Sequence, residues 1–346
     1  MGAQPRLRAV VLAAGRGQRL RPLTDFLPKA LLPVAGQPVG GHTLIQLAAA
    51  GVEAAALNLH HLGEKIRREF GGAFAGLHLT YSPEEELLGT LGALWPLRDF
   101  LRPAELILVV NGDSLCRWPV RRLVRRHLAS GASATLLLSK RADPTQFGGG
   151  VGVDRQGRIV SLRPDSEYGE VVRRRVFAGA HVISPELLER LPEGPADFVD
   201  ELYEPLLGRG GRIAALETGQ PWYDLGTPER FLKAAIEWSR GGWPARLLRR
   251  SWLAPGAEVA SDARVRRSVV ESGARVETGA EIEGSLLLPG AQAGRGSRAI
   301  QSILGFDAVL APASAVERRL VTPAVATSQP RPQDSVMGGL VYSPLG

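Results

Sequence analysis

LAAGRGQRLRPLTDFLPKALLPVAGQP, residues 12 to 38, continues directly from the β-branched run Arg8 to Ala13. Such a run closed by a glycine-rich turn predicts a strand whose end delivers backbone N–H groups to an anion. Two familiar phosphate loops fail on these residues. A Walker loop needs Gly-Lys followed by Ser or Thr, which Gly17 lacks, and a dinucleotide turn needs a third glycine where Leu20 stands. What remains is a turn in which Gly15 and Gly17 admit a close approach, while Arg16, Arg19, Arg21 and Lys29 supply positive charge. These features predict a polyphosphate site.

Outward from this stretch, up to about residue 240, short apolar runs alternate with amphipathic segments of helix length, as in α/β domains. Strands are predicted at Arg8 to Ala13, Val52 to Leu59, Leu77 to Tyr81, Glu105 to Val110, Ala134 to Ser139 and Arg212 to Leu216. Helices are predicted at Gly41 to Ala50, Leu62 to Phe70, Gly89 to Phe100, Pro119 to Ala129 and Pro228 to Arg240. The expectation is a Rossmann-like, mostly parallel sheet that is mixed at one edge. Gly241, Gly242 and Pro244 then predict a linker over 241–250.

Beyond the linker the sequence repeats. SWLAPGAEV from Ser251, SVVESGARV from Ser268, SLLLPGAQA from Ser285 and SILGFDAVL from Ser302 share a period of 17 residues. Within them aliphatics recur every six residues, at Val270, Val276, Ile282 and Leu288 for example. Six-residue spacing with glycine at the corners predicts a hexapeptide, left-handed parallel β-helix of four coils over 251–318, each coil one residue short of three hexapeptides. Residues 319–346 lose the repeat, carry prolines at 323, 330, 332 and 344, and read as an irregular tail.

Composition narrows the function. A chain of 346 residues, 44% hydrophobic and 22% charged, is long enough for about two globular domains. No apolar run approaches the ~18 residues of a membrane span, and the apolar stretch near the start is too short for a secretory signal, so a cytoplasmic location is expected. The single Cys116 and the absence of zinc-ligand spacing exclude a disulfide framework and a zinc module. The net charge of +7 comes from dispersed basic residues without a nucleic-acid-binding motif, which suits a phosphate-rich small substrate. Only four of the 42 basic residues are lysines, at 29, 65, 140 and 233, which makes Lys29 in the glycine-rich stretch informative.

The chain resembles the sugar-1-phosphate nucleotidyltransferases, among them proteins similar to mannose-1-phosphate guanylyltransferases. The motif GxGxRLxPLT followed by PK matches Gly15, Gly17, Arg19, Leu20, Pro22, Leu23, Thr24, Pro28 and Lys29. LGTLGAL at Leu88 to Leu94, NGDSL at Asn111 to Leu115, GVGVD at Gly150 to Asp154, FAGAHV at Phe177 to Val182 and WYDLGTPE at Trp222 to Glu229 follow in order. The resemblance implies the nucleotide-diphospho-sugar transferase fold, a catalytic domain over 1–240, and assembly into a homo-oligomer through the β-helix. It implies that Arg19, Lys29 and Asp113 are catalytic and that Asp113 and Asp224 hold Mg²⁺, an ion suited to hard carboxylate oxygens. It places the nucleotide against Leu12, Ala13, Ala14, Gly15, Gly17, Arg19, Lys29, Glu84, Gly89 and Thr90, and the sugar phosphate against Gly150, Arg163, Gly179 and Asp224.

A carboxylate at Glu84 could accept two hydrogen bonds from guanine but one from uracil or thymine, which favours GTP. Two positions depart from the pattern: Gln18 stands in place of a hydroxyl residue, and the Glu-Lys-Pro block reads Leu162, Arg163, Pro164. Arg163 can pair a phosphate, whereas Leu162 cannot hydrogen-bond a sugar hydroxyl. The expected activity is GTP plus mannose-1-phosphate giving GDP-mannose and pyrophosphate. Alternatives are a uridylyl- or thymidylyltransferase on glucose-1-phosphate or an amino-sugar or muramic acid phosphate, and a non-catalytic regulator of the same fold. Acyl transfer by the β-helix is not expected, since all six histidines precede the repeat.

Overall fold

The computed structural model describes residues 5–241, 251–324 and 330–345. Apart from Gly241, the expected linker 241–250 lies outside the described residues. The chain divides into two compact units. Residues 1–15 and 40–223 form the first, and 16–39 and 224–346 the second. By spatial contact, the glycine-rich stretch beyond Gly15 and the helix Pro228–Ser239 group with the repeat.

The first unit is built on an eleven-stranded sheet: β1 (Leu7–Leu12), β2 (Ala54–Leu59), β3 (Ala73–Phe74), β4 (Leu77–Pro83), β5 (Leu106–Asn111), β6 (Ala134–Ser139), β7 (Val151–Val153), β8 (Ile159–Arg163), β9 (Ser166–Glu167), β10 (Arg173–Ile183) and β11 (Ile213–Thr218). Its main path runs β9-β8-β7-β10-β5-β1-β2-β4-β3, with β6 joining β10 to β11. Strands β5, β1, β2 and β4 are mutually parallel and, β4 apart, almost wholly apolar, as a sheet covered on both faces requires. The mixed character expected at one edge is found there, where β9, β8, β7 and β10 are antiparallel neighbours, and it reaches inward because β10 also runs antiparallel to β5 and β6. This strand escapes a reading by hydrophobicity because it opens Arg173-Arg174-Arg175. Two of these guanidiniums are neutralised by Glu217 of β11, at 2.6 and 2.8 Å. The helix expected over Gly89 to Phe100 is broken into Gly89–Gly92, Trp95–Leu97 and Arg98–Leu101, because Pro96 lacks an N–H.

In the second unit the 17-residue period becomes geometry. Each coil contributes three short strands that pair in parallel with the strands 17 positions on, Trp252 with Val269, Glu258 with Arg275, and Arg264 with Glu281. The missing residue is explained at the third corner. There a single left-handed residue, Arg267, Gly284, Gln301 or Arg318, turns the chain directly into the next serine or, after the fourth coil, Arg319. The serines form a ladder. Ser268 Oγ donates to the Arg266 carbonyl at 2.7 Å and accepts from the Ser285 amide at 3.1 Å, and Ser285 repeats the pattern toward Ser302. These bonds satisfy backbone groups that a tight corner would leave unpaired.

Inside the coils Val270, Val276, Ile282, Leu287, Ala293, Leu304 and Leu310 stack into one core. The preceding residues Val269, Leu286 and Ile303 point outward by strand alternation, yet are fully buried. What covers this face is the helix Pro228–Ser239, which packs on Val269–Val270, on Leu286–Leu287 and on Pro33–Val34. Thr227 caps that helix through the Arg230 amide at 3.3 Å, with Pro228 in its first turn. The segment 16–39 lies on the same unit: Phe26 packs on Phe306 with ring centroids 6.0 Å apart, and Trp252 abuts Gly36.

The tail, expected to be irregular, carries structure. Arg319–Pro323 adds a fifth parallel strand beside Ile303–Leu304, and Leu340–Pro344 returns antiparallel to it. Its prolines lie at the strands' last positions or outside them, where no ladder bond is lost. The tail ends with the Leu345 carbonyl accepting from the Glu229 amide at 3.2 Å.

Candidate active site

In the first unit the parallel strands end together: Leu12 is level with Asn58 and Asn111, and Leu59 with Pro83. The carboxyl ends of such strands are where open α/β sheets bind ligands. This edge gathers Leu12, Ala13, Ala14 and Gly15 after β1, Glu84 after β4 and Asp113 after β5. Gly15 has open space where a Cβ would point, and Gly112 packs so tightly on β1 that a Cβ would meet Val11 at 2.8 Å. Asp113 is half-buried, with the Ser114 hydroxyl 3.4 Å away.

Glu84, expected at the base edge, is also engaged within the protein. It is buried, and both carboxylate oxygens are engaged, Oε1 by the Asn58 amide at 2.8 Å and Oε2 by the Leu88 N–H at 3.0 Å. Asn58 in turn accepts from the Ala13 N–H at 2.7 Å. Glu84 thus braces the turn after β1 through Asn58, a residue the sequence reading missed; its signal was a lone amide ending an apolar strand.

Gly89 is required by the protein itself: at φ +75° a Cβ would lie 2.4 Å from the Ala196 carbonyl oxygen. Thr90 Oγ1 accepts from the Phe198 amide at 3.2 Å. Gly179 forms the bulge at which β10 shifts register, and a Cβ there would meet Asn111 at 3.2 Å. Gly150, at φ +71°, abuts the Arg175 carbonyl. Arg163 is paired with Asp200, a contact that raises its pKa. Leu162 belongs to the main core, packed away from solvent. Burial pushes the Cys116 thiol up to about 12, so it is an inert core residue.

In the second unit, a cluster of cations surrounds Asp224. Lys29 is 8% exposed and holds its Nζ 3.8 Å from Asp224 Oδ1, while Arg230 bonds Oδ2 from the helix beginning at Pro228. Arg19 reaches the same place: a Cβ on Gly226 would lie 3.1 Å from its guanidinium and 3.0 Å from Asp224. Arg230 was missed by the sequence reading, although its place six residues after Asp224, in the first turn of a capped helix, is visible there. Gly17, at φ +61°, is fixed by Thr24: the Thr24 hydroxyl donates to its carbonyl at 3.0 Å, and a Cβ would strike the Thr24 methyl at 2.7 Å. Three cations around one carboxylate leave an excess of positive charge facing a partly open site, suited to a polyphosphate.

Residues 8–240 match the family profile described as nucleotidyl transferase. The chain belongs to the nucleotidyl transferase family. Residues 245–324 match a second profile, GlmU-like, C-terminal hexapeptide. The chain is 35% identical over 244 residues to the mannose-1-phosphate guanylyltransferase of Mycobacterium tuberculosis, covering 70% of this chain and 67% of that protein. It is 30% identical to mannose-1-phosphate guanyltransferase beta-B of Xenopus laevis over 65% of this chain and 63% of that one. The match thus spans about two thirds of these relatives. The solved structure of HddC from Yersinia pseudotuberculosis superposes with a TM-score of 0.56 at 23% identity, over 67% of this chain and 99% of that one, and shares its fold.

Each unit taken by itself offers a carboxylate of the kind a hard divalent ion takes, Asp113 in the first and Asp224 in the second. Among the described residues no group of three or more His, Cys, Asp or Glu gathers into a metal cage. Single carboxylates such as Asp113 and Asp224 fit Mg²⁺, which keeps several waters and takes phosphate oxygens from its substrate. Among the described residues no helix is long and apolar enough to cross a membrane.

Proposed function

We propose that this nucleotidyl transferase moves a nucleotidyl group from an NTP to a sugar-1-phosphate, with GTP and mannose-1-phosphate as the pair and GDP-mannose as product. A sugar-phosphate oxygen attacks the α-phosphorus in line; the new P–O bond forms as the bond to the β-phosphate oxygen breaks, and pyrophosphate leaves. The protein's task is to hold polyanions and offset charge that develops on the leaving pyrophosphate. Lys29 and Arg19 do this, with Arg230 beside them. Asp113 and Asp224 are the carboxylates offered to Mg²⁺, whose chemistry when bound is to neutralise phosphate charge. The turn Leu12 to Gly17, braced by Asn58 and Glu84, presents backbone amides to the nucleotide, and Gly89 and Thr90 line its loop. Gly150, Arg163, Gly179 and Asp224 take the sugar phosphate, with Arg163 exchanging Asp200 for it.

The observation that carries this reading is the buried Lys29 beside Asp224 and two arginines, a polyphosphate grip in a chain 35% identical to a guanylyltransferase. The nucleotide preference rests on the relatives. Pyrophosphate release from a panel of NTPs against sugar-1-phosphates tests it. Turnover with GTP and mannose-1-phosphate above all other pairs is expected; preference for UTP or dTTP with glucose-1-phosphate would select the alternative, and no turnover with any pair would point to a regulator. The enzyme works in the cytoplasm, where its NTP is, and assembles as a homo-oligomer through the β-helix, whose exposed Leu253 and Val309 offer apolar surface.

A further inference from the structure

The segment 16–39 carries Arg19 and Lys29 yet packs as part of the β-helix unit. Its far end is a hairpin, Pro33–Val34 paired antiparallel with Gln37–Pro38, turned by Ala35 at φ +52° and Gly36 at φ +76°. Two successive left-handed residues make a tight primed turn, strained at Ala35 because it carries a Cβ. The turn is held from outside. Glu271, 1% exposed at the end of the second coil's first strand, accepts the Gly36 amide on Oε2 at 3.0 Å and is also bonded by the Ala35 amide. Trp252 closes the other side, so that a Cβ on Gly36 would lie 3.2 Å from its ring.

Nothing in β-helix architecture calls for a carboxylate here. The corresponding position of the next coil is Leu288, and Glu271 Oε1 has no hydrogen-bond partner. A buried acid with one unsatisfied oxygen costs stability unless its contacts do something a hydrocarbon could not. The one thing a carboxylate does at this position is hold two amides of a strained turn that begins four residues after Lys29 ends its 3₁₀ turn at Leu31.

We propose that Glu271 is a positioning residue for the triphosphate grip: the β-helix, through Glu271 and the buried outward column Val269, Leu286 and Ile303, is the seat that fixes the 33–38 hairpin and with it the direction of Lys29. The proposal rests on the nucleotidyl-transfer reading. It makes the β-helix a working part of the catalytic machinery as well as a surface for assembly.

The test compares the full-length wild type with Glu271→Ala, Glu271→Asp and Glu271→Gln, and with Glu281→Gln on another sheet of the β-helix as control. Hydrogen exchange of peptides covering 29–38 and steady-state kinetics are measured on each. Glu271→Ala and Glu271→Asp, the latter keeping the charge but withdrawing it by one methylene, are expected to lose protection at 35–36 and to raise the KM for NTP about tenfold or more, with a smaller change in the KM for sugar-1-phosphate. Glu271→Gln keeps an acceptor and should restore most of both; Glu281→Gln should change neither. If Glu271→Ala does not fold, Glu271→Asp decides. Unchanged exchange at 35–36 in a folded Glu271→Asp protein, or equal rises in both KM values, overturns the proposal. Lost protection at 35–36 in Glu271→Asp, beside a wild type that releases no pyrophosphate from any pair, would instead keep the seat and defeat the reading of the reaction.

Discussion

Lys29 Nζ lies 3.8 Å from Asp224 Oδ1, joining two residues almost 200 positions apart in one half-closed charge cluster. Lys29 is almost wholly buried, and a buried ammonium without an anion would be costly. Asp224 pairs with Lys29 and also faces Arg230, leaving net positive charge for a phosphate chain.

Lys29→Ala and Asp113→Ala are therefore each expected to lower kcat by roughly 10²–10³, the scale of losing one preorganised electrostatic contact. Pyrophosphate release from purified, folded variants measures this. Near-wild-type rates would remove the residue from the catalytic set.

Glu84 gives a prediction opposite to that of a base-reading carboxylate. In Glu84→Gln the new NH₂ faces either the Asn58 amide or the Leu88 N–H, donor against donor, and loosens the turn after β1. KM should rise by similar factors for GTP and for UTP. A loss confined to GTP would return Glu84 to the base edge.

Leu162 is part of the core, so restoring the acid of the family pattern should harm rather than help. Leu162→Glu places a carboxylate in the main apolar core and should cost several kcal/mol, read as a fall in Tm. A variant of unchanged Tm with a better KM for sugar-1-phosphate would show that the side chain faces the sugar instead.

The Glu271 carboxyl is pushed up to about 7 by burial, against which the amides of Gly36 and Ala35 pull it down. The folded chain then binds more protons at this site than the unfolded chain between about 4.5 and 7. Its contribution to stability is full below that window and declines as pH rises through it. The Tm of Glu271→Gln minus that of wild type should increase between pH 5 and pH 8. A difference independent of pH would mean that the carboxyl titrates normally.

A chain ending near residue 240 should not keep a working nucleotide grip. Removing the repeat uncovers Phe231, Leu232 and Ala235 of the last helix and takes away the surface under Phe26 and Gly36. Each large buried apolar side chain left bare costs about 1.5–3 kcal/mol. Calorimetry of NTP binding and light scattering on truncated and full-length chains are expected to show lost affinity and a changed mass. A truncated form with full affinity and activity would make the repeat a separate module.

The period of 17, the six-residue aliphatic spacing and the parallel strand runs follow from the sequence alone, because they reflect local periodicity of backbone and burial. The glycine-rich, cationic character of residues 12 to 38 is equally local, carried by Gly15, Gly17 and the cations between Arg16 and Lys29. Only the tertiary structure decides what lies across a covered face. The doublets at Val269, Leu286 and Ile303 look like ordinary core in one dimension, and their outward aliphatic acquires meaning once a helix packs on that face. Strand β10 hid behind three arginines because Glu217, which neutralises two of them, is distant in sequence. The partners of Glu84, Asn58, Arg230 and Glu271 were invisible for one physical reason: a hydrogen bond or ion pair is a property of two residues, and a sequence displays each without the other.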